Sequence, residues 1–279
     1  MKKKYAFCLF LATSHQLNQT GMKSITERHQ LILKKLQDTG SVNVQELSAQ
    51  MKVSDVTIRK DLKLLEDKKL LFRTHGGGSK TNPYTNDKPV AEKEQMHADK
   101  KRLIATAAAE MIGHNDSIII ASGTSMLALA RAIHPEKHLT VITSALNVAL
   151  ELSHHLHVEV LQLGGQLRQN SSSVMGPYAE QILADVSCSM LFLGVDGIDI
   201  ETGLTTTSLM EARLNQKMIN AAQITVVLAD SSKMGKRGLG KICSLDQIQH
   251  VITDDGISPA LVKLMENKGI SVTIVKDKS

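Results

Sequence analysis

Residues 53–78, VSDVTIRKDLKLLEDKKLLFRTHGGG, form an apolar stripe interleaved with cations and closed by three glycines. Ile58, Leu62 and Leu65 repeat at the spacing of one helix face, and Ser54 stands where an N-cap is expected. The pattern therefore predicts a helix over residues 55–69. The LLFRTHGGG that ends the stretch predicts a short strand and a tight glycine turn, which together would form a wing.

Two shorter helical patterns precede this helix. Residues 25–40, ITERHQLILKKLQDTG, carry apolar residues at helical spacing and end on Gly40, a common C-terminal cap. Residues 43–51, NVQELSAQM, predict a second helix with Leu47 and Met51 four apart. Because only a few residues separate the second and third helices, the pattern is typical of a helix-turn-helix, whose second helix enters the DNA major groove.

The order of charges along the third helix bears on its role. Its cations concentrate in the first half and the acids Glu66 and Asp67 lie in the second, the reverse of what the helix dipole favours. Contacts to phosphate and guanine need cations at that end. The alternative is a small helical bundle with a solvated basic face, and the spacing, charge order and wing together favour DNA binding. The predicted DNA-contacting residues are Ser54, Asp55, Thr57, Arg59, Lys60, Lys63, Arg73 and His75.

The net positive charge is concentrated at the start of the chain. Residues 22–80 contain twelve Lys and Arg against seven Asp and Glu, whereas the 279-residue chain carries a net +5 in total. This asymmetry suits a polyanionic partner for a first domain, 22–78, and not for the rest. Aromatic residues make up 3% of the chain and Trp is absent, which argues against binding single-stranded nucleic acid by base stacking.

Residues 1–21 and the cysteines bear on where the protein acts. The stretch 1–21 is expected to be a disordered tail or a mis-assigned start, with Met22 as the true start. A secretory signal peptide is the less favoured alternative, since the apolar run is short and no small-x-small cleavage site follows it. Three cysteines, far apart and in no metal spacing, predict a reducing cytosol. With the expected DNA partner, we predict a cytoplasmic, nucleoid-associated protein with no metal and no membrane association.

The rest of the chain alternates between two kinds of segment. A polar linker with two prolines is predicted over residues 79–96, followed by a domain over 97–279 in which short β-branched runs alternate with Ala- and Leu-rich helical stretches. Such alternation predicts a mostly parallel, Rossmann-like α/β domain after the winged helix-turn-helix. The predicted strands are SIIIAS, LTVIT, VEVLQLG, MLFLGVDG, ITVVLAD, HVITDD and ISVTIVK.

Polar residues follow the ends of these strands, where ligands of parallel sheets bind. Residues 122–125, Ser-Gly-Thr-Ser, open a helix, an arrangement that suits a phosphate group. The chain has no G-x-x-x-x-G-K-[ST] motif, so this is not a nucleotide P-loop, and Ser and Thr also cap helices for structural reasons. The candidate effector-binding residues are Ser122, Gly123, Thr124, Ser125, Asn147, Gly164, Gly165, Arg168, Asp196, Glu211 and Lys233.

The run V-S-x-x-T-I-R-K-D-L, followed by R-T-H-G-G, resembles the N-terminal signature of DeoR-type bacterial transcription regulators. The resemblance continues to about Lys276 and so covers nearly everything after residue 22. It implies that Thr57, Arg59 and Lys60 belong to a recognition helix, although the family usually has Arg at the Lys60 position.

The resemblance also implies a role for the second half of the chain. That half is similar to an effector domain related in fold to ribose-phosphate isomerase and the sugar-phosphate deaminases. It implies that residues 122–125 and Lys233 hold a phosphate, and that Asp196 and Glu211 meet sugar hydroxyls. The family's E-A-x-x-K run is E-A-R-L-N here, with Asn215 in place of the lysine.

Two functions remain open from the sequence. The first is a repressor of sugar or amino-sugar catabolic genes, released from operator DNA by a phosphorylated sugar, with no catalytic residues and no cofactor. It would act as a dimer or tetramer, because one recognition helix covers too few base pairs. The second is an isomerase-like enzyme in which Asp196 and Glu211 shuttle protons. A helix-turn-helix has no use in that chemistry, so the repressor is favoured.

Overall fold

The computed structural model describes residues 24–74, 76–80 and 89–276. The chain divides into two compact units between residues 81 and 82. Some predictions concern residues outside the described ranges. These are the predicted tail with Met22, the predicted DNA contact His75, and residues 81–88 of the predicted linker.

The first unit combines three helices with a small antiparallel sheet. Its elements are α1 (Ile25–Thr39), β1 (Ser41–Asn43), α2 (Val44–Met51), α3 (Asp55–Asp67), β2 (Phe72–Thr74) and β3 (Gly77–Ser79). The strands are ordered β1-β3-β2, with β2 and β3 forming the hairpin of the wing. The predicted winged helix-turn-helix is confirmed.

The ends of the helices follow from local capping. Ser54 Oγ accepts a hydrogen bond from the Thr57 N–H at 3.2 Å and so starts α3 as predicted. Gly40 adopts left-handed backbone (φ 75°) and ends α1. The third helix ends at Asp67, short of the predicted position, because Lys69 turns into left-handed backbone (φ 58°).

A single apolar core holds the first unit together. The inward faces of the three helices and the wing bury Ile32, Leu36, Val42, Val44, Leu47, Met51, Ile58, Leu62, Leu65 and Leu71. Gly77 passes so close to β1 that a Cβ there would lie 1.7 Å from the carbonyl oxygen of Val42. Only glycine fits at that point of the wing.

A seven-stranded sheet forms the centre of the second unit. The strands of the whole unit are β4 (Asp116–Ile120), β5 (Leu139–Thr143), β6 (Val158–Gln162), β7 (Gln166–Arg168), β8 (Ser173–Met175), β9 (Cys188–Gly194), β10 (Gly197–Asp199), β11 (Gly203–Thr206), β12 (Ala222–Leu228), β13 (Gly240–Cys243), β14 (His250–Asp254) and β15 (Ser271–Val275). The main sheet has the order β15-β14-β12-β9-β4-β5-β6, and all its neighbouring pairs are parallel. These are the seven strands predicted from the sequence, so the mostly parallel α/β fold is confirmed. The other strands form two small antiparallel sheets, β7-β8 and β10-β11-β13.

Helices cover both faces of the main sheet. They are α4 (Val90–Gln95), α5 (Ala98–Ala109), α6 (Thr124–Ala132), α7 (Leu146–Leu152), α8 (Pro177–Ala184), α9 (Leu209–Asn220) and α10 (Pro259–Glu266). Along β4, Ile118 and Ile120 point into one apolar core and Ile119 into the other. Both faces of the strand are therefore buried, as a parallel sheet between two helical layers requires.

The helix α4 falls within the stretch 79–96 that was predicted as a linker. It belongs to the second unit, and its side chains reach the ends of the sheet strands. No helix in the described part of the chain is long and apolar enough to cross a membrane.

Candidate functional site

The cations of α3 lie on its outer face. Arg59, Lys60 and Lys63 are exposed, whereas Ile58 and Leu62 on the opposite face are buried. Because the helix is fixed to the core through its apolar stripe, these three cations point into solvent. A basic surface of this kind can lie against DNA phosphates.

The N-terminal end of α3 and the wing flank this surface. Ser54 is exposed, Asp55 and Thr57 are half-buried, and the hydroxyls of Ser54 and Thr57 lie 2.9 Å apart. In the wing, the Arg73 N–H donates to Glu66 Oε1 at 2.9 Å, and the Arg73 guanidinium lies 3.7 Å from Glu66. Arg73 thus ties the wing to the end of α3.

One acid of α3 is buried, a feature that the sequence did not reveal. Asp61 is 2% exposed and accepts hydrogen bonds from Arg28 Nε at 2.7 Å and Arg28 Nη2 at 3.1 Å, with His29 Nε2 at 3.3 Å. The hydrogen bond to Asp61 raises the pKa of Arg28. This pair fixes α1 against α3, and so fixes the angle between the two helices.

In the second unit, a cleft of about 130 Å³ opens beside the ends of several sheet strands. Most of the predicted effector-binding residues meet in it. Those that line it are Ser122, Gly123, Thr124, Ser125, Arg168, Asp196, Glu211 and Lys233. Ser122 and Lys233 are 111 positions apart in the chain but meet in the cleft, because the parallel strands that precede them end at the same edge of the sheet.

The N-terminus of α6 faces this cleft. Gly123, its N-cap, has a φ of 124°, a backbone conformation open to glycine, and no side-chain hydrogen bond caps the helix in the described structure. The helices α3 and α9 differ, since Ser54 and Ser208 cap them. The first N–H groups of α6 are therefore available to an anion.

Asp196 lies opposite two lysines in the same cleft. Its Oδ1 is 3.1 Å from Lys93 Nζ and 3.9 Å from Lys233 Nζ, and its Oδ2 accepts from the Thr206 hydroxyl at 3.0 Å. Burial alone would raise the pKa of Asp196, but Lys93, Lys233 and the Thr206 hydrogen bond lower it below the ordinary value. The carboxylate is therefore ionised and can accept hydrogen bonds.

Glu211 forms a second acidic position in the cleft. Its Oε1 accepts from the Ser122 hydroxyl at 3.1 Å, and its Oε2 lies 3.4 Å from Arg168 Nη1. Burial and the nearby Asp196 carboxylate raise the pKa of Glu211, more than Arg168 and Ser122 lower it. Two carboxylates thus stand in one cleft with opposite pKa shifts.

Several cleft residues were missed by sequence reasoning. The cations among them are Lys93 and Lys101, with Lys236 at the rim; Lys101 is 6% exposed and its Nζ donates to the backbone carbonyl of Lys93. Burial lowers the pKa of Lys101. The remaining lining residues that were not predicted are Val90, Met96, His97, Asn170, Ser171, Gly194, Val195, Thr206, Asp230 and Ser232.

Three predicted residues do not line the cleft. Asn147 Oδ1 accepts from the Val148 N–H at 3.0 Å, a local contact at the start of α7. Gly165 (φ 145°) passes so close to β8 that a Cβ would lie 2.5 Å from the Met175 carbonyl oxygen, and its neighbour Gly164 is exposed. The close approach to β8 explains the glycine at position 165.

Both units match known domain families. The DeoR-like helix-turn-helix domain matches residues 28–82, and the DeoR C terminal sensor domain matches residues 96–255. The chain belongs to the DeoR family. It is a DNA-binding transcriptional regulator and not an enzyme, as the sequence favoured.

Relatives match the chain over most of its length. A protein of Escherichia coli O157:H7 that carries the name of an aga operon transcriptional repressor is 37% identical over 92% of this chain and 97% of its own. A lactose phosphotransferase system repressor of Staphylococcus epidermidis is 32% identical over 80% of this chain and 90% of its own. Ribose 5-phosphate isomerase A from Neisseria gonorrhoeae, a solved structure, aligns with 50% of this chain and 55% of its own at 17% identity, with a TM-score of 0.36.

Proposed function

We propose that this DeoR-family regulator represses sugar or amino-sugar catabolic genes, and that a phosphorylated sugar in the cleft releases it from its operator. The observation that carries the proposal is the pairing, within one cleft, of an uncapped helix N-terminus with cations and two carboxylates. A sugar phosphate has an anionic end and a hydroxyl-rich end, and the cleft offers groups suited to each.

The phosphate would bind at the start of α6. The N–H groups and hydroxyls of residues 123–125 supply donors there, and the helix dipole favours an anion. Lys233 supplies a positive charge that can approach the same anion, since its Nζ lines the cleft beside Asp196.

The sugar hydroxyls would bind at the two carboxylates. Asp196, which is ionised, accepts hydrogen bonds from hydroxyl donors. Glu211, held by Ser122 and Arg168, offers a second position of fixed orientation. The lactose phosphotransferase and aga repressors to which the chain is similar are named for sugar systems, which supports a sugar as the effector.

The first unit would read operator DNA through α3 and the wing. Arg59, Lys60 and Thr57 would reach base edges, with Lys63 on the phosphates and Ser54 and Asp55 at the helix start. Arg73 and His75 would approach the backbone from the wing. The protein would act in the cytoplasm on the nucleoid, as a dimer or tetramer that places two recognition helices on successive major grooves.

The test is operator binding in the presence of candidate effectors. Fluorescence anisotropy of DNA from beside the protein's own gene is measured with hexose, amino-hexose and hexitol 6-phosphates and with the unphosphorylated compounds. We expect at least one phosphorylated compound, and none of the unphosphorylated ones, to weaken operator binding. Turnover of a sugar phosphate well above background, without any effect on DNA binding, would contradict the proposal.

A further inference from the structure

The helix α4 contributes to the cleft although neither family match includes it. The helix-turn-helix match ends at residue 82 and the sensor match begins at residue 96, whereas α4 spans Val90–Gln95. Val90 and Lys93 of α4 nevertheless line the cleft. In the chain, α4 also comes directly after residues 81–88, which join it to the DNA-binding unit.

Three polar contacts tie α4 to neighbouring parts of the second unit. Lys93 Nζ lies 3.1 Å from Asp196 Oδ1, beyond the end of β9. The buried Lys101 of α5 donates to the carbonyl of Lys93 near the C-terminal end of α4. Glu94 Oε1 lies 2.7 Å from Arg131 Nη1, which belongs to α6, the helix whose N-terminus would hold the phosphate.

We propose that α4 transmits ligand binding to the DNA-binding unit, and that Lys93 is the residue that senses the ligand. The inference rests on the proposed function. Asp196 accepts a hydrogen bond from Lys93, and under the proposed function it also accepts one from a sugar hydroxyl. A ligand hydroxyl bound to Asp196 displaces the Lys93 ammonium toward the ligand's phosphate. Because Lys93 belongs to α4, this movement of its side chain shifts the helix.

The geometry of the charges makes this exchange favourable. Lys93 and Lys233 both approach Asp196 Oδ1, at 3.1 and 3.9 Å, so two cations share one carboxylate. A phosphate in the cleft adds negative charge beside these cations and so competes with Asp196 for them. The Glu94–Arg131 pair is about half exposed, so it holds α4 in place less strongly than a buried pair would. Its loss should change an equilibrium constant by about fivefold or less. It holds α4 to α6 without lining the cleft.

The experiment separates ligand binding from its transmission. For the full chain, the dissociation constant of each hexose, amino-hexose and hexitol 6-phosphate is measured by calorimetry. The fold-change in operator affinity at saturating sugar phosphate is measured by anisotropy. The variants are Lys93→Met, which removes the charge, Glu94→Gln, which removes the tie to α6, and Lys263→Met, an exposed lysine of α10 that serves as the charge-matched control.

The wild type and Lys263→Met should show the same fold-change, of roughly 5- to 150-fold. Lys93→Met should reduce it to within about twofold, and Glu94→Gln should reduce it partly while binding the sugar phosphate as tightly as wild type. Hydrogen exchange of the peptide 90–96 should also be faster in Lys93→Met than in wild type without any ligand, because the tie to Asp196 is lost.

Two results would overturn the inference, and they are distinguishable. If no sugar phosphate binds the wild type, the proposed function fails and this inference fails with it. If a sugar phosphate binds and weakens operator binding, but Lys93→Met and Glu94→Gln keep the wild-type fold-change, only the role of α4 is wrong. Should Lys93→Met lose ligand binding altogether, Glu94→Gln decides the question alone.

Discussion

Arg59 and Lys63 lie four residues apart on the exposed face of α3 and are suited to different contacts. A guanidinium can bind a guanine edge with two hydrogen bonds, whereas an ammonium acts as a point charge toward phosphate. We predict that Arg59→Ala costs about 1–3 kcal/mol of binding to the operator but much less on unrelated DNA. Lys63→Ala should weaken binding to both DNAs about equally and flatten the salt dependence.

Anisotropy titrations with operator and scrambled duplexes, repeated at several salt concentrations, measure both effects. Lys217→Ala, an exposed lysine of α9, serves as the charge control. Native affinity for the operator in both the Arg59 and the Lys63 variants would show that α3 is not the reading helix.

The buried Asp61 makes a prediction about stability. Removing its carboxylate removes the two hydrogen bonds that Asp61 accepts from the Arg28 guanidinium. Hydrogen bonds between charged groups contribute more than neutral ones, so Asp61→Ala should destabilise the first unit by about 2 kcal/mol. Urea unfolding followed by a probe in the first unit tests this, with the exposed Asp38→Ala as control. Equal stability of the two variants would mean that the pair does not hold α1 to α3.

Asp254 connects three elements of the second unit: β14, α5 and the short turn that begins at Ser231. It ends β14 and is 2% exposed, and it accepts from Lys100 Nζ of α5 at 2.7 Å and from the Ser231 N–H at 2.6 Å. Ser231 begins the short turn that carries Lys233 into the cleft. Burial would raise the pKa of Asp254, but Lys100 and the N–H and O–H donors lower it to about 2.

This low pKa predicts how stability depends on pH. Because the folded pKa is below the unfolded value of about 3.9, the ionised Asp254 stabilises the fold above that pH, by about 2 kcal/mol. The contribution is lost as the pH falls from about 4 to about 2. Asp254→Asn should therefore be less stable than wild type at pH 7, and the gap should close by about pH 2.

Urea unfolding of wild type and Asp254→Asn at a series of pH values measures this gap, and the exposed Asp185→Asn provides the control. A gap that stays constant down to pH 2 would rule out the ionised carboxylate as its cause.

The main helices and strands were predictable from the sequence, whereas the order of the strands and the long-range side-chain pairs were not. The seven main strands carry dense β-branched runs, and Ser54 has the local signal of an N-cap. The strand order depends on tertiary packing, and the small antiparallel strands are only 3–4 residues long. Asp254 pairs with Lys100, 154 residues away, a separation that no local pattern encodes.

The candidate site was predictable where it follows strand ends. Ser122 and Asp196 lie at the ends of predicted strands and Lys233 follows one by three residues, so their meeting in one cleft follows from the parallel topology. Lys93 escaped prediction because it lies in a polar, proline-containing stretch typical of a linker. Its place in the cleft depends on contacts with Asp196 and Lys101 that only the folded structure shows.

At the scale of the whole molecule, the proposed DNA contacts predict an assembly. One α3 spans too few base pairs for useful specificity, so two copies should bind two half-sites on the same face of the duplex. Inserting about half a helical turn, about 5 bp, between the half-sites should sharply weaken binding, and inserting a full turn should restore part of it. Light scattering should show a dimer or a larger oligomer. Monomers that bind a single half-site tightly would contradict this prediction.

The central claim is that the cleft controls DNA binding through a sugar phosphate. It is tested most directly by operator anisotropy with and without hexose, amino-hexose and hexitol 6-phosphates, for wild type, Lys233→Ala and Asp196→Asn. We predict that a sugar phosphate weakens wild-type binding by about 1–3 kcal/mol. Both variants should bind the operator as wild type does but should not respond, because each lacks a group that holds the ligand. A response equal to that of wild type in both variants would show that the signal enters elsewhere.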